Sequence, residues 1–243
     1  MESPLTIVTG GGRGIGAATA IRLAAAGHRL VLSYLSDGAA AESVAGTVRD
    51  LGTACVTVRA DTSSADDVDR LFDEAAKLGT VTGLVNNAGT AGRLGPLVEQ
   101  APEDLRRVMD VNVVGVLLCI RRAAMVMRPG AAVVNVSSAA ATLGSPGDYV
   151  HYAASKAAVD ALTVGLSKEL GPQGIRVNAV APGMVNTGIH ARMGDPERAH
   201  RVGAQTPLGR AGEPAEIAAA IAWLLSPDAS YTTGAVLRVS GGR

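Results

Sequence analysis

The chain predicts a single α/β domain built on a parallel sheet of seven strands, and three observations carry that expectation. Short β-branched or aliphatic runs alternate with longer helical stretches from end to end. No linker, internal repeat or low-complexity tract interrupts that alternation across the 243 residues. A glycine-rich turn follows directly on the first apolar run and opens the first helical stretch.

The elements follow in order. Leu5–Thr9 reads as the first strand, and the stretch near 15–26 as the first helix, stopped at Gly27. Arg29–Tyr34 is the second strand, and the helix over 38–51 ends at Gly52. Ala54–Arg59 precedes a helix near 65–78, and Gly83–Asn86 precedes a long helix over 102–127. Pro102 occupies the first turn of that helix, where a missing N–H costs nothing. Ala132–Val136 leads to the helix 151–170, Arg176–Ala181 is the sixth strand, and Pro214 opens a helix over 214–225 before the last strand, Ala235–Val239. Gly183 to Gly212 breaks the rhythm: some thirty residues with several Gly and Pro and no periodicity, expected to form a lid over about 183–212.

Composition narrows the function classes. With 47% apolar and 18% charged residues the chain can bury a sizeable core, filled mainly by Ala, Val, Leu and Ile. Lys plus Arg equal Asp plus Glu at 22 each, so no net field draws nucleic acid or an anionic membrane. Aromatic residues are 2% of the chain, too few for base-stacking platforms. Cys55 and Cys119 stand apart in apolar segments without metal spacing, and read as buried free thiols; no metal site is expected. Met1 to Thr9 carries neither a charged leader nor a long apolar run, which gives a cytoplasmic expectation.

Two constellations carry chemistry. Tyr152 and Lys156 stand four apart in Tyr-Ala-Ala-Ser-Lys, one helical turn from each other, with Ser138 fourteen residues upstream. A phenol normally ionises near pH ~10, so proton exchange at neutral pH needs a neighbouring cation. With four tyrosines and three lysines in the chain, about 0.05 such pairs arise by chance, although a solvated helical pair is the plain alternative. The other constellation is Thr9-Gly10-Gly11-Gly12-Arg13-Gly14-Ile15-Gly16. Glycines let a backbone approach phosphates closely, and the helix start offers free N–H groups and partial positive charge. Its G-x-x-x-G-x-G spacing differs from the G-x-G-x-x-G of most two-domain dehydrogenases.

On these residues, with Asp61 after the third strand, Asn86-Asn87-Ala88-Gly89 after the fourth, and Pro182-Gly183 followed by Thr187, the chain resembles the short-chain dehydrogenase/reductases over essentially its full length. The resemblance implies one doubly wound Rossmann-type domain with helices on both faces of a seven-stranded parallel sheet, and an oxidoreductase acting on CH-OH/C=O groups. It implies Tyr152 as general acid/base and Ser138 as hydrogen-bond partner of the substrate oxygen. Lys156 would lower the tyrosine's pKa and hold the nicotinamide ribose, and Asn112 would hold a relay water. Cofactor contacts would come from Gly10, Gly12, Arg13, Gly14, Ile15 and Gly16, from Ser33, Asp61 and Thr62, from Asn87, Ala88 and Gly89, from Tyr152 and Lys156, and from Pro182, Gly183, Val185 and Thr187. Taken singly, Asn86 and Asn87 also fit a turn cap, Thr187 a short helix cap and Asp61 the cap of the helix near Ala65.

The second strand ends Val31-Leu32-Ser33-Tyr34-Leu35-Ser36 without the carboxylate that repels a 2′-phosphate, Asp37 comes too late, and Arg13 is a cation within reach. NADP(H) is therefore the preferred cofactor, with NAD(H) the alternative. Substrate choice is expected from Leu94, the loop Ala139 to Val150, and Met184, Val185, Ile189 and Met193, whose apolar character fits a small ketone or aldehyde with a hydrophobic body. His151 is read as structural or as a subunit contact. A 3-oxoacyl-acyl-carrier reductase needs a basic rim for its acidic partner, and Arg128, Pro129 and Gln173 make a thin one. A catalytically silent dinucleotide sensor is the alternative of another class. The resemblance also implies a homotetramer or homodimer through the long helices.

Overall fold

The computed structural model describes residues 3–243, with backbone alone for His190 and Arg192; Met1 and Glu2, the head of the stretch read as lacking a leader, lie outside them. Seven strands, β1 (Leu5–Val8), β2 (Arg29–Tyr34), β3 (Cys55–Arg59), β4 (Val81–Asn86), β5 (Ala132–Val136), β6 (Arg176–Pro182) and β7 (Val236–Val239), form one sheet in the order β3-β2-β1-β4-β5-β6-β7. Every pairing is parallel. The chain winds outward from β1 to β3, then crosses to β4 and winds the other way, so β1 and β4 flank the switch point where a crevice opens at the carboxyl ends.

Helices α1 (Gly14–Ala25), α2 (Gly38–Asp50), α3 (Ala65–Ala76), α4 (Pro102–Met109), α5 (Gly115–Val126), α6 (Ala140–Leu143), α7 (Val150–Leu170), α8 (Ile189–Arg192), α9 (Arg198–Gly203) and α10 (Pro214–Leu225) complete the chain. Alternation along the strands sends side chains to two separate cores. Ile7, Leu84 and Val133 pack with Leu71 and Phe72 of α3, Ile120 of α5 and Val159 of α7. Val8, Val85 and Val134 face the other way, onto Leu23 of α1, Val48 of α2 and Ile221 of α10. The sheet is thus covered on both faces, as a doubly wound domain requires. Among the described residues no helix is long and apolar enough to cross a membrane.

Gly27 and Gly52 adopt φ of 83° and 84°, the left-handed conformation expected of helix stops. Pro102 and Pro214 sit at the starts of α4 and α10. Three departures from expectation have physical causes. β4 begins at Val81 because Thr82 Oγ1 bonds both N–H and C=O of Leu5, a polar anchor that interrupts the apolar run. The helix expected over 102–127 is broken by a π turn, Asp110–Val114, which carries Asn112 inward. The segment 183–212 is not a bare loop: it contains α8 and α9 and is pinned at its base by a bridge between Val185 and Gly212.

Candidate active site

A cleft of about 430 Å³ opens along the carboxyl ends of the strands. Every residue expected to hold cofactor lines it except Gly16, and every expected catalytic residue except Asn112. These two stand directly behind the wall and shape it.

The glycine turn is held by packing that only glycine permits. Gly10 and Gly14 have φ of 63° and 54°. A Cβ on Gly16 would lie 2.3 Å from Gly10 O and 2.6 Å from Asn87 Nδ2. Asn87 Nδ2 donates to Thr9 O (2.9 Å) and Gly10 O (3.0 Å), while Thr9 Oγ1 accepts from the N–H groups of Asn87 and Ala88 at 3.0 Å. The turn after β1 and the turn after β4 are therefore one rigid unit. Gly10, Gly12, Gly14 and Ile15 line the cleft at the start of α1, where a backbone without bulky side chains and the free N–H groups of a helix start fit a dinucleotide pyrophosphate.

At the end of β2, Ser33 Oγ accepts from Gly10 N–H at 3.2 Å. Arg13 is exposed on the wall and forms no ion pair among the described residues. Asp37 also lines the wall, but its carboxylate caps α2 by accepting from Ala40 N–H at 3.0 Å. Asp61 does not cap α3, a role taken by Ser64. Burial alone would raise the Asp61 carboxyl, but Ser63 and the Arg107 guanidinium, 2.9 Å away, outweigh it and hold the pKa below its usual value. Arg107, forty-six residues on and itself in the cleft wall, was not anticipated.

At the inner end, Ser138 sits just past β5, its Oγ accepting from Ala140 N–H at 3.1 Å, and it lines the cleft beside Tyr152. Burial pushes the Tyr152 pKa up to about 12 against the opposing influence of the Ser138 side chain. Lys156 is buried, donates from Nζ to Val136 O at 2.7 Å, and stands 5.7 Å from the Tyr152 ring centroid. Burial lowers its pKa to about 8, with Asp160 one turn further along α7 opposing. Burial, rather than Lys156, sets the direction of the Tyr152 shift. Desolvation dominates both groups, and the ammonium is drawn to a strand-end carbonyl.

Asn112 is wholly buried and its amide is fully used. Oδ1 accepts from Thr90 N–H (2.9 Å), and Nδ2 donates to Thr90 O (2.8 Å) and Ser155 Oγ (2.9 Å). It ties the wall after β4 to α7. A Cβ on Gly89 would meet Asn112 Oδ1 at 3.2 Å and Lys156 Nζ at 3.6 Å, so the three residues converge. His151 proves structural: it is buried, and Nε2 pairs with Ala91 O at 3.2 Å.

Met184, Val185, Ile189 and Met193 line the cleft, and Leu94 does not. Its neighbour Gly92 (φ 69°) is packed against His151 and Val108, which holds that stretch of chain on α7 and α4. From the loop 139–150 only Tyr149 reaches the wall, its ring edge-on to Tyr152 with centroids 5.2 Å apart. Tyr149 is the residue just before α7, with an extended φ of -162°, so its approach to Tyr152 comes from the loop and not from a helical face.

A phosphate turn and a Ser/Tyr/Lys cluster, half-buried at Ser138 and Tyr152 and buried at Lys156, share one cleft and define a dinucleotide-dependent oxidoreductase. Known proteins agree. A family model described as enoyl-(acyl carrier protein) reductase matches residues 10–243. An uncharacterized oxidoreductase of Escherichia coli, YgfF, is 42% identical, with 98% of this chain and 99% of that one aligned. A 3-oxoacyl-[acyl-carrier-protein] reductase of Synechocystis is 36% identical over 100% of this chain and 97% of its own. The crystal structure of a short chain dehydrogenase from Burkholderia cenocepacia in complex with NADP superposes with a TM-score of 0.92 at 33% identity, covering 98% and 97% of the two chains. The chain belongs to the short-chain dehydrogenase/reductase family, whose members act on hydroxyl and carbonyl groups.

Proposed function

We propose that the protein interconverts a small ketone or aldehyde and its alcohol with NADP(H) as the preferred cofactor. The observation that carries this reading is that Ser138, Tyr152 and Lys156 line the same cleft as the glycine turn. The glycine turn, Asp61, Asn87 to Gly89 and Thr187 would hold the dinucleotide, which when bound supplies or accepts the hydride. Ser138 and Tyr152 would orient the carbonyl by donating to its oxygen, and Tyr152 would release its proton to that oxygen as negative charge develops. Lys156 would stabilise the phenolate left behind. With its amide occupied, Asn112 would serve a relay through its main-chain carbonyl.

The preference for NADP(H) is supported by the exposed Arg13, which has no ion pair among the described residues, by the lack of a carboxylate over Ser33 to Ser36, and by the NADP complex of the Burkholderia relative. The substrate wall of Tyr149, Met184, Ile189 and Met193 suits a hydrophobic body. The same reading includes a cytoplasmic location, and a homotetramer or homodimer supported by exposed Val114 in the π turn, Leu117 and Met125 on α5 and Val164 on α7. Sedimentation tests the assembly.

The Synechocystis relative favours a second reading, 3-oxoacyl-acyl-carrier reduction. Against it, Arg128 precedes β5 and so lies at the sheet edge opposite its own subunit's cleft. Consumption of NADPH and of NADH against small ketones, aldehydes and a 3-oxoacyl thioester on carrier protein separates the readings. Tyr152→Phe should lose about 10²- to 10⁴-fold in turnover while still binding NADPH. Near-normal turnover by that variant removes Tyr152 from the chemistry.

A further inference from the structure

Arg198, in the middle of the segment 183–212, is a buried cation outside the site described so far. Only 7% of it is exposed. It opens α9, yet its side chain leaves its own segment. Nη2 donates to Asp148 Oδ2 at 2.6 Å and to the Tyr149 hydroxyl at 3.4 Å, and the guanidinium carbon lies 5.2 Å from the Tyr149 ring centroid. Asp148 and Tyr149 are the two residues before α7, and the Tyr149 ring rests edge-on against Tyr152.

Asp148 ties in a third segment. Its carbonyl accepts from Gly95 N–H at 2.7 Å, and Gly95 O in turn accepts from Gln100 Nε2 at 3.0 Å. Three stretches that surround the substrate end, the chain after β4, the loop before α7 and the segment 183–212, are joined at one residue. A buried guanidinium held by one half-exposed carboxylate and one aromatic face is an expensive contact to keep as mere surface decoration.

We propose that Arg198 is a positioning residue: by clasping Asp148 and Tyr149 it fixes the segment 183–212 over the substrate end and holds the Tyr149 ring against Tyr152. This rests on the reading of that end as the carbonyl subsite. The clasp acts beyond the base of the segment: Gly183, Val185 and Thr187, expected to meet the dinucleotide, lie beside the Val185–Gly212 bridge that pins that base, and the glycine turn, Asp61 and Asn87 belong to other segments. Loss of the clasp therefore weakens substrate capture and leaves dinucleotide binding intact.

The test compares full-length Asp148→Asn, Arg198→Met, Arg198→Lys and the Asp148→Asn/Arg198→Met double variant. Thermolysin cleavage within 183–212, followed by mass spectrometry with NADPH present, should accelerate about tenfold or more in Asp148→Asn and Arg198→Met. Arg198→Lys, which keeps the charge but not the planar guanidinium that meets both Asp148 and the Tyr149 ring, should fall between wild type and Arg198→Met. For a turned-over ketone, KM should rise about tenfold with kcat within about threefold, and the double variant should be no worse than the worse single one. NADPH affinity, read by its fluorescence, should stay within about twofold. Unchanged cleavage overturns the proposal, as do additive effects of the two substitutions, or a joint fall in NADPH affinity and melting temperature that accounts for the lost kcat/KM. Asp148 is half-exposed, so its variant tests the clasp even if Arg198→Met fails to fold. If wild type turns over no carbonyl compound, the functional reading fails, while the cleavage rates still decide the clasp.

Discussion

Replacing Lys156 by Met should make the protein more stable at neutral pH, although it removes a catalytic group. Burial lowers the lysine pKa from 10.5 to about 8, so the folded state disfavours the ammonium that the unfolded chain accepts freely. At about 1.4 kcal/mol per tenfold, this gap corresponds to roughly 3 kcal/mol of destabilisation at pH 7. Methionine fills similar space without charge, but it forfeits the Nζ bond to Val136 O, a loss of about 1 kcal/mol. The net gain expected at pH 7 is about 2 kcal/mol. Its pH dependence identifies its origin. Below about 8 both folded and unfolded wild type carry the ammonium and the full cost is present; between about 8 and 10.5 the unfolded chain binds more protons, so wild-type stability rises with pH. Tyr152 acts oppositely above pH ~10, but it is present in both proteins and cancels in the difference. Urea unfolding of wild type and Lys156→Met at matched protein concentration, at pH 7, 8.5 and 10, reads the effect directly. A stability difference that does not change over this range, or a variant markedly less stable at pH 7, refutes the account.

Gly16→Ala should weaken NADPH binding about tenfold or more and destabilise the fold by about 1–3 kcal/mol, because its Cβ must displace Gly10 O and Asn87 Nδ2. Fluorescence titration and melting check both effects. Gly46→Ala, on α2 with nothing within 4 Å of the new Cβ, should instead gain about 0.5–1 kcal/mol, and a loss there would contradict the packing described. Arg13→Gln should cost about tenfold in NADPH affinity and leave NADH affinity unchanged, whereas an equal loss for both would remove Arg13 from phosphate recognition.

The sheet was legible because it obeys simple rules: each strand run lies between turn residues, and alternation such as Ile7 to one core and Val8 to the other needs only a period of two. The phosphate turn was legible because its glycines are local in sequence. What was hidden depends on contacts distant in sequence. The π turn leaves no mark in Val108 to Val116, whose apolar spacing continues a helix. The Asp61–Arg107 pair joins positions forty-six apart, and Asp148–Arg198 joins positions fifty apart. Spacing alone suggested that Lys156 would acidify Tyr152, but spacing says nothing about desolvation, and burial decides both pKa values.

Those two values bear on the direction of the reaction. Reduction calls for a protonated Tyr152, and a pKa pushed up to about 12 keeps it protonated throughout the neutral range. Oxidation calls for the phenolate, which the same burial disfavours, so its supply grows about tenfold per pH unit. The Lys156 ammonium favours that phenolate, but it is itself lost as pH rises through about 8. Rates measured under cofactor saturation should therefore show reduction nearly flat from pH 6 to about 8, and oxidation climbing over the same interval and flattening above it. Tyr152→Phe should abolish the climb. An oxidation rate that peaks near pH 6, or a reduction rate that rises into alkaline solution, would mean that some other group carries the proton.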